Sequence, residues 1–241
     1  MLTQFRFLVT MDKTSPIHIT LTEREPSVTI TQWVYLQLRT AVMQGEILPG
    51  RALTIRELAA LLGVSNMPVR EALRQLGAEQ ALEIRETRRV MVPKMTRAKF
   101  DELCKARIAL ETHAAERALP FITRDTLAEL IHIDQRIDQA QAQKQWQDAN
   151  RLNQHFHRTL YQANPNPVML PLIESVWLQL GPFMRLAQNQ LQSHYETDHH
   201  HEALSAIRDN DAISLKHAIE LDIHEGLALA SSPEFLNCLT Q

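Results

Sequence analysis

The sequence predicts a mainly α protein in two parts: three helices with a small β-hairpin, followed by an all-α antiparallel helical bundle. Composition is the first reason. Of 241 residues only 6 are glycine and 5% are aromatic, while 44% are hydrophobic and 22% charged. That balance supplies a core and favours packed helices over a β-sandwich or a glycine-lined nucleotide fold. Second, apolar residues recur at helical spacing along nearly all of the chain beyond residue 28. Third, glycines, prolines and capping residues punctuate those periodic runs.

Residues 1–27 show no sustained period, are interrupted by Pro16 and Pro26, and read as a flexible N-terminal arm. Their apolar patch is broken by Arg6 and is too brief for a secretory signal; Met11 is an alternative start to Met1. From Thr29 to Met43, Val34, Leu38, Ala41 and Val42 mark one helical face, which Gly45 and the turn Leu48-Pro49-Gly50 terminate. Thr54 caps a second helix, Ile55 to Leu62, stopped by Gly63. Ser65 caps a third helix running to about Glu79, with Pro68 in its first turn. Leu82 to Val92 reads as a hairpin turning near residues 86–89 and closed by Pro93.

Residues 28–95 thus form a first domain in which two helices flank a glycine-containing turn, the arrangement of a helix-turn-helix. On the third helix Asn66, Arg70 and Arg74 make a polar stripe, while Val69, Leu73 and Leu76 make the apolar stripe facing the other two helices. Such a helix offers its N-terminal polar residues to a DNA major groove. Arg85, Arg88 and Arg89 lie where a hairpin wing would meet phosphates or the minor groove. A small helical core with solvated arginines has the same periodicity. Charge adds a hint. Residues 28–95 hold nine Lys/Arg against six Asp/Glu, and residues 96–241 hold thirteen against nineteen, within a net charge of −3.

Beyond Pro93 helices are expected at about 96–119, 123–143, 146–163, 167–191, 195–209 and 211–230, separated at Pro120, Pro165, Pro167 and Asn210-Asp211. They define a bundle over residues 96–231, with 232–241 as a C-terminal tail. Several polar residues fall inside its apolar stripes: Arg107 and Glu111 on the first helix, Asn153 and His157 on the third, His200 on the fifth and Asp222 on the sixth. Buried groups of this kind must find partners, and the economical arrangement is one internal pocket where they meet. Nitrogen and oxygen donors from three helices would suit a divalent ion such as Zn, Ni or Mn. Alternatively His157 is a hydrogen-bonded core histidine and His199–His201 a solvated run.

Cys104 and Cys238 give neither metal spacing nor a disulfide framework, which fits a reducing cytoplasm. No apolar run approaches the roughly 18 residues of a membrane span, so no membrane partner is expected. No Gly-x-Ser-x-Gly elbow, glycine-rich phosphate loop or His-Glu-x-x-His is present. Glu111 near His157 offers an acid–base pair that nothing completes.

The segment Gly63-Val64-Ser65-Asn66-Met67-Pro68-Val69-Arg70-Glu71-Ala72-Leu73, preceded by Leu48-Pro49-Gly50, resembles the winged-helix signature of GntR-family transcriptional regulators. The bundle is similar to the ligand-sensing FCD domain of the FadR subfamily. Arg107-x-x-x-Glu111, Asn153-Gln154-His155-Phe156-His157, Asn166 and His200…Ala206-Ile207…Asp211 match characteristic positions, and the likeness runs from about Val28 to Ala230. The resemblance implies DNA contacts from Arg56, Ser65, Asn66, Met67 and Arg70, with Arg88 and Arg89 at the wing tip. Two positions depart from the family. Asn66 stands where arginine is common, so adenine or phosphate contact replaces guanine readout. Arg89 stands where the wing usually turns on glycine. The family's metal set, Asp and His at i, i+4 and two later histidines, reads here as Asn153, His157, His200 and Asp222. Arg107 matches an arginine that receives carboxylate ligands, a task suited to a guanidinium fork; an ion pair with Glu111 is its other role.

The expectation is therefore a cytoplasmic, bacterial, non-enzymatic regulator. It would bind a palindromic operator as a homodimer, act as a repressor, and respond to a small carboxylate effector bound by Arg107 and Glu111. The competing expectation is a helical metal-binding protein or metal-dependent enzyme with a docking N-terminal domain.

Overall fold

In the computed structural model, residues 19–85, 89–191, 199–228, 230 and 235 are described. Thr29 opens helix α1, Ile30–Met43, by accepting a hydrogen bond from the Gln32 amide. Strand β1, Leu53–Thr54, leads directly into α2, Ile55–Leu62. There the Thr54 hydroxyl accepts from the Glu57 amide while the Glu57 carboxylate accepts from the Thr54 amide, a reciprocal capping box. Gly63 ends α2 at φ 64°, the left-handed conformation that a side chain would strain. Helix α3, Asn66–Ala78, follows. Ser65 occupies its N-cap position, but its side chain makes no capping hydrogen bond.

Strands β2, Glu83–Ile84, and β3, Arg89–Met91, form the expected hairpin. The sheet has a third member that periodicity did not predict. β1 pairs antiparallel with β3, Leu53 opposite Val90, giving the order β1-β3-β2. The tip, residues 86–88 with Arg88, lies outside the described residues. Arg89 was expected in the turn; it is the first residue of β3, and its carbonyl accepts from the Arg85 amide at 2.9 Å. Val34, Leu38 and Val42 of α1 meet Val69, Leu73 and Leu76 of α3 in a core where each is 0% exposed.

Of the expected arm, residues 1–18 lie outside the described residues, and the part from 19 is tied to α1. The Thr20 amide and hydroxyl donate to Glu46 at 3.1 and 2.9 Å, and the Trp33 indole donates to the Thr22 carbonyl at 2.9 Å. Gln37 donates to the Thr22 hydroxyl and accepts from the Thr22 amide, both at 2.8 Å. These bonds hold a segment without regular secondary structure, which leaves no period in the sequence.

The bundle comprises α4, Arg97–Ala118; a 3-10 turn, Leu119–Phe121; α5, Arg124–Ala142; α6, Trp146–Gln162; α7, Met169–Leu191; α8, His200–Arg208; and α9, Ala212–Ala228. Thr96 and Thr123 cap α4 and α5 through side-chain hydrogen bonds. Residues 195–198, expected in the fifth bundle helix, lie outside the described residues, as does the expected tail apart from the buried Phe235. α5 packs on α6, and α4 on both α7 and α9. α1 of the first domain packs on α7 of the second, so one buried core runs through both. Among the described residues no helix is long and apolar enough to cross a membrane.

Thr54→Ala is expected to lower stability by about 1 kcal/mol through loss of the cap. Leu73→Ala should cost about 2–5 kcal/mol through cavity formation. Urea denaturation followed by circular dichroism measures both, and equal effects would contradict this account.

Candidate functional site

The first candidate surface is the N-terminal half of α3 with the start of α2. Arg56, Ser65, Asn66, Met67 and Arg70 are all exposed, Met67 with 62% of its surface free. An apolar side chain this open on an otherwise polar helix end suits contact with a base edge or methyl group. Val69, Leu73 and Leu76 turn into the core, and Met67 and Arg70 of the same helix turn outward. Arg74, on the same stripe, is paired with Glu71 at 2.9 Å. Arg89 is exposed on β3.

The second candidate is inside the bundle. His157 (1% exposed), His200 (0%) and Asp222 (3%) come from α6, α8 and α9, and their ligand atoms all lie within 4.8 Å of one another. His157 Nε2 is 3.0 Å from Asp222 Oδ2, and His200 Nε2 is 3.7 Å from Asp222 Oδ1. A cavity of about 100 Å³ opens beside them, lined by Arg107, Asn153, Gln154, His157, Gly181 and Asp222 among others. The polar residues singled out in the apolar stripes therefore converge, Asn153 at the cavity wall. Glu111 does not line the cavity; it is 0% exposed and stands behind Arg107. A larger cavity of about 260 Å³ borders Tyr161 from another side, between His113, Arg117 and Met169, and has no comparable imidazole–carboxylate set in its walls.

The hydrogen-bond network assigns the imidazole protons. The Tyr161 hydroxyl donates to Glu111 Oε2 at 2.8 Å, so His157 Nδ1, 3.1 Å from the Tyr161 oxygen, must donate to it. His157 Nε2 then either donates to Asp222 or, deprotonated, turns its lone pair to a cation in the same place. His200 Nδ1 lies 3.1 Å from Asp134 Oδ1 and donates to that carboxylate, directing Nε2 toward Asp222. Histidines that ligate metals are oriented in this way, the second nitrogen held by an outer partner. The donor set fits a divalent cation with nitrogen and oxygen ligands. His200 also stacks on Phe156, ring centroids 4.0 Å apart.

Sequence reasoning missed the outer partners Asp134, Tyr161 and Trp177. Two of them left a signal. Tyr161 follows Asn153 and His157 at i+8 and i+4, and Asp134 sits between the buried Leu130 and Ile137.

Glu111 Oε1 accepts from Arg107 Nε at 2.6 Å and from the Trp177 indole at 2.7 Å. Burial alone would discourage the Arg107 charge; Glu111 beside it outweighs that and raises the guanidinium's pKa. Burial, reinforced by the Glu111 charge, pushes the Tyr161 phenol well above its ordinary value. One turn before Arg107, burial pushes the Cys104 thiol up to about 11, against a smaller opposing pull from Arg107.

Residues 102–225 match the FCD domain, and residues 30–92 match the gntR family of bacterial regulatory proteins. The chain is a GntR-family regulator with an FCD domain. It is 27% identical to the HTH-type transcriptional regulator McbR of Escherichia coli K12 over 84% of this chain and 93% of that one. The solved structure of E. coli McbR/YncC superimposes with a TM-score of 0.78, covering 84% of this chain and 97% of that chain. The gluconate operon transcriptional repressor of Bacillus subtilis is 27% identical, over 74% of this chain and 75% of that one. The E. coli K12 repressor RspR is 33% identical over 58% of this chain and 62% of its own. This GntR-family chain is thus a DNA-binding transcriptional regulator with an effector-sensing domain. The competing expectation of a metal-dependent enzyme falls, because the matched families and relatives are regulators of transcription.

In a Cys238→Ser background Cys104 should react with iodoacetamide at pH 8 about 100-fold more slowly than an ordinary thiol, because raising the pKa by about two units removes thiolate. Its rate should rise tenfold per pH unit up to about pH 10; a plateau by pH 9 would contradict the assigned burial. Glu111→Ala, leaving Arg107 unpaired inside the bundle, should cost about 3–5 kcal/mol in chemical denaturation.

Proposed function

We propose that this regulator, cytoplasmic and of the FadR subfamily, binds a palindromic operator as a homodimer and represses transcription until a small carboxylate effector enters the bundle cavity. The observation that carries the reading is the convergence of His157, His200 and Asp222 beside a cavity that Arg107 also lines. These three would hold a divalent ion such as Zn, Ni or Mn, with the Asn153 side-chain oxygen as a weak fourth donor. Such an ion supplies positive charge that attracts a carboxylate. The chain's own contribution is orientation. Asp134 and the Tyr161 hydroxyl fix the two imidazoles, and Glu111 holds Arg107 by Nε, leaving the outer guanidinium edge to grip an anion. Glu111 serves the effector through Arg107, not by contact.

DNA reading falls to Arg56, Ser65, Asn66, Met67 and Arg70, with Arg88 and Arg89 on phosphates or the minor groove. An amide at position 66 suits adenine, which Asn bonds through N6 and N7. A two-fold dimer matches a two-fold operator, each wing domain taking one half-site.

Arg70→Ala should lose about 1–3 kcal/mol of discrimination between operator and random duplex with the fold intact. Arg89→Ala should weaken both and flatten the salt dependence. Band-shift titrations at several salt concentrations separate the two, and operator affinity unchanged in Arg70→Ala would overturn the recognition-helix assignment. His157→Ala should abolish Zn uptake in elemental analysis while retaining operator binding.

A further inference from the structure

Two sets of contacts tie the helices that wall the cavity, α6 and α7, to α1, and α1 packs on α3. The first is ionic. Arg158, which follows His157 on α6, pairs with Glu174 Oε1 of α7 at 2.7 Å. Glu174 Oε2 accepts from Arg39 of α1 at 3.1 Å, and Arg39 Nε reaches Glu79 Oε2 at 3.2 Å. Glu79 is the C-cap of α3, and it also accepts from the Tyr35 hydroxyl at 2.5 Å. Arg39, Glu79 and Glu174 are 16%, 23% and 14% exposed, so this part of the ladder is largely shielded from water and weakly screened, while Arg158 at its outer end is more open. A guanidinium suits the junction, because its planar fork serves two carboxylates at once.

The second is steric. Gly181 of α7 lines the cavity, and a Cβ there would lie 2.0 Å from the Met43 carbonyl oxygen at the end of α1. Gly45, at φ 69°, meets Arg185 just as closely: a Cβ would lie 2.3 Å from Arg185 Cβ. Gln154, also at the cavity wall, donates to the same Met43 carbonyl at 3.5 Å. Pro182 follows Gly181 inside α7 and cannot donate a backbone hydrogen bond, which loosens the helix at this contact.

We propose that Arg39 is the positioning residue that couples the bundle cavity to the DNA-reading helix, with the Gly181–Met43 backbone contact as its fulcrum. A change in the packing of α6 and α7 around the cavity shifts Glu174 relative to Gly181. Arg39 carries that shift to Glu79 and so to the end of α3. Both cavity-wall helices thereby bias the orientation of α3 without a covalent route through residues 93–96. This rests on the proposed reading of the cavity as an effector site.

The test uses the full chain stripped of metal, Zn²⁺ alone as the cavity probe, and a duplex selected by the wild-type protein from a random library. Zn²⁺ affinity is measured by competition with a chromophoric chelator, and duplex affinity with and without saturating Zn²⁺. In the wild type, Zn²⁺ should change duplex affinity at least about fivefold. Arg39→Met and the isosteric Glu174→Gln should keep wild-type Zn²⁺ affinity and metal-free duplex affinity, yet show a Zn²⁺ effect below about twofold. Arg39→Lys, which keeps the charge without the fork, should restore part of it; a purely structural role would leave the ratio unmoved in all three. A full Zn²⁺ effect in both Arg39→Met and Glu174→Gln would overturn the coupling while the cavity reading stands. Zn²⁺ binding without any effect on the wild-type duplex affinity would do the same. Failure of the wild type to bind Zn²⁺ would overturn the cavity reading itself, and the coupling with it.

Discussion

Glu111 is a carboxylate with no access to water, and the interior of the bundle is arranged around that fact. A buried charge is tolerated only where its lone pairs are met. Here three helices supply the donors: Arg107 from α4, Tyr161 from α6 and Trp177 from α7. Two of these bonds have a second consequence. Arg107 is held at the cavity wall by one edge of its guanidinium. The Tyr161 proton is committed to Glu111, so the Tyr161 oxygen is an acceptor, which keeps a proton on His157 Nδ1. α4, α6 and α7 cannot slide past one another without exposing this carboxylate to an apolar interior.

The two histidines are oriented by different chemistry. His200 leans directly on the Asp134 carboxylate, whereas His157 leans on a phenol that relays the charge of Glu111. Measured against the pattern that the family resemblance implies, the proposed donor set, Asn153 included, is rearranged. The carboxylate expected on α6 is replaced by Asn153, and a carboxylate appears on α9 as Asp222 where an imidazole is expected. The number of negative charges is unchanged. One imidazole is traded for a neutral amide, which weakens the set by one good donor and leaves its electrostatic character intact.

Helices and their ends were legible because their causes are local. The threonine caps, the Thr54–Glu57 box and the Gly63 stop operate within four residues, and a 3.6-residue period needs only one amphipathic face. The i, i+4 pair Asn153 and His157 and the polar interruptions at Arg107, His200 and Asp222 marked the cavity for the same reason. Other features depend on partners distant in sequence. Strand β1 has two residues, too few to show alternation, and exists because β3 returns beside it. The segment from residue 19 is held by side chains of α1, and Trp177, an aromatic in an apolar run, is recognisable as a partner of Glu111 only once α7 lies beside α4. Ser65 illustrates the converse: a residue type typical of a cap whose side chain makes no capping bond.

The sequence divides cleanly near Pro93, but the mechanics do not. α1 buries one face against α3 and another against α7, and its end is pressed into the one stretch of α7 where glycine removes the side chain. Adding even a methyl group at Gly181 would force the Met43 carbonyl away, so the separation between α1 and α7 is set by backbone contact, the stiffest kind available. The ladder through Arg39 joins the same two helices but is made of side chains, whose rotamers can shift where packed backbone cannot. A stiff fulcrum beside a compliant tether permits rotation and resists separation. Under the proposed coupling, that combination would let a change of small amplitude around a cavity of about 100 Å³ turn α3.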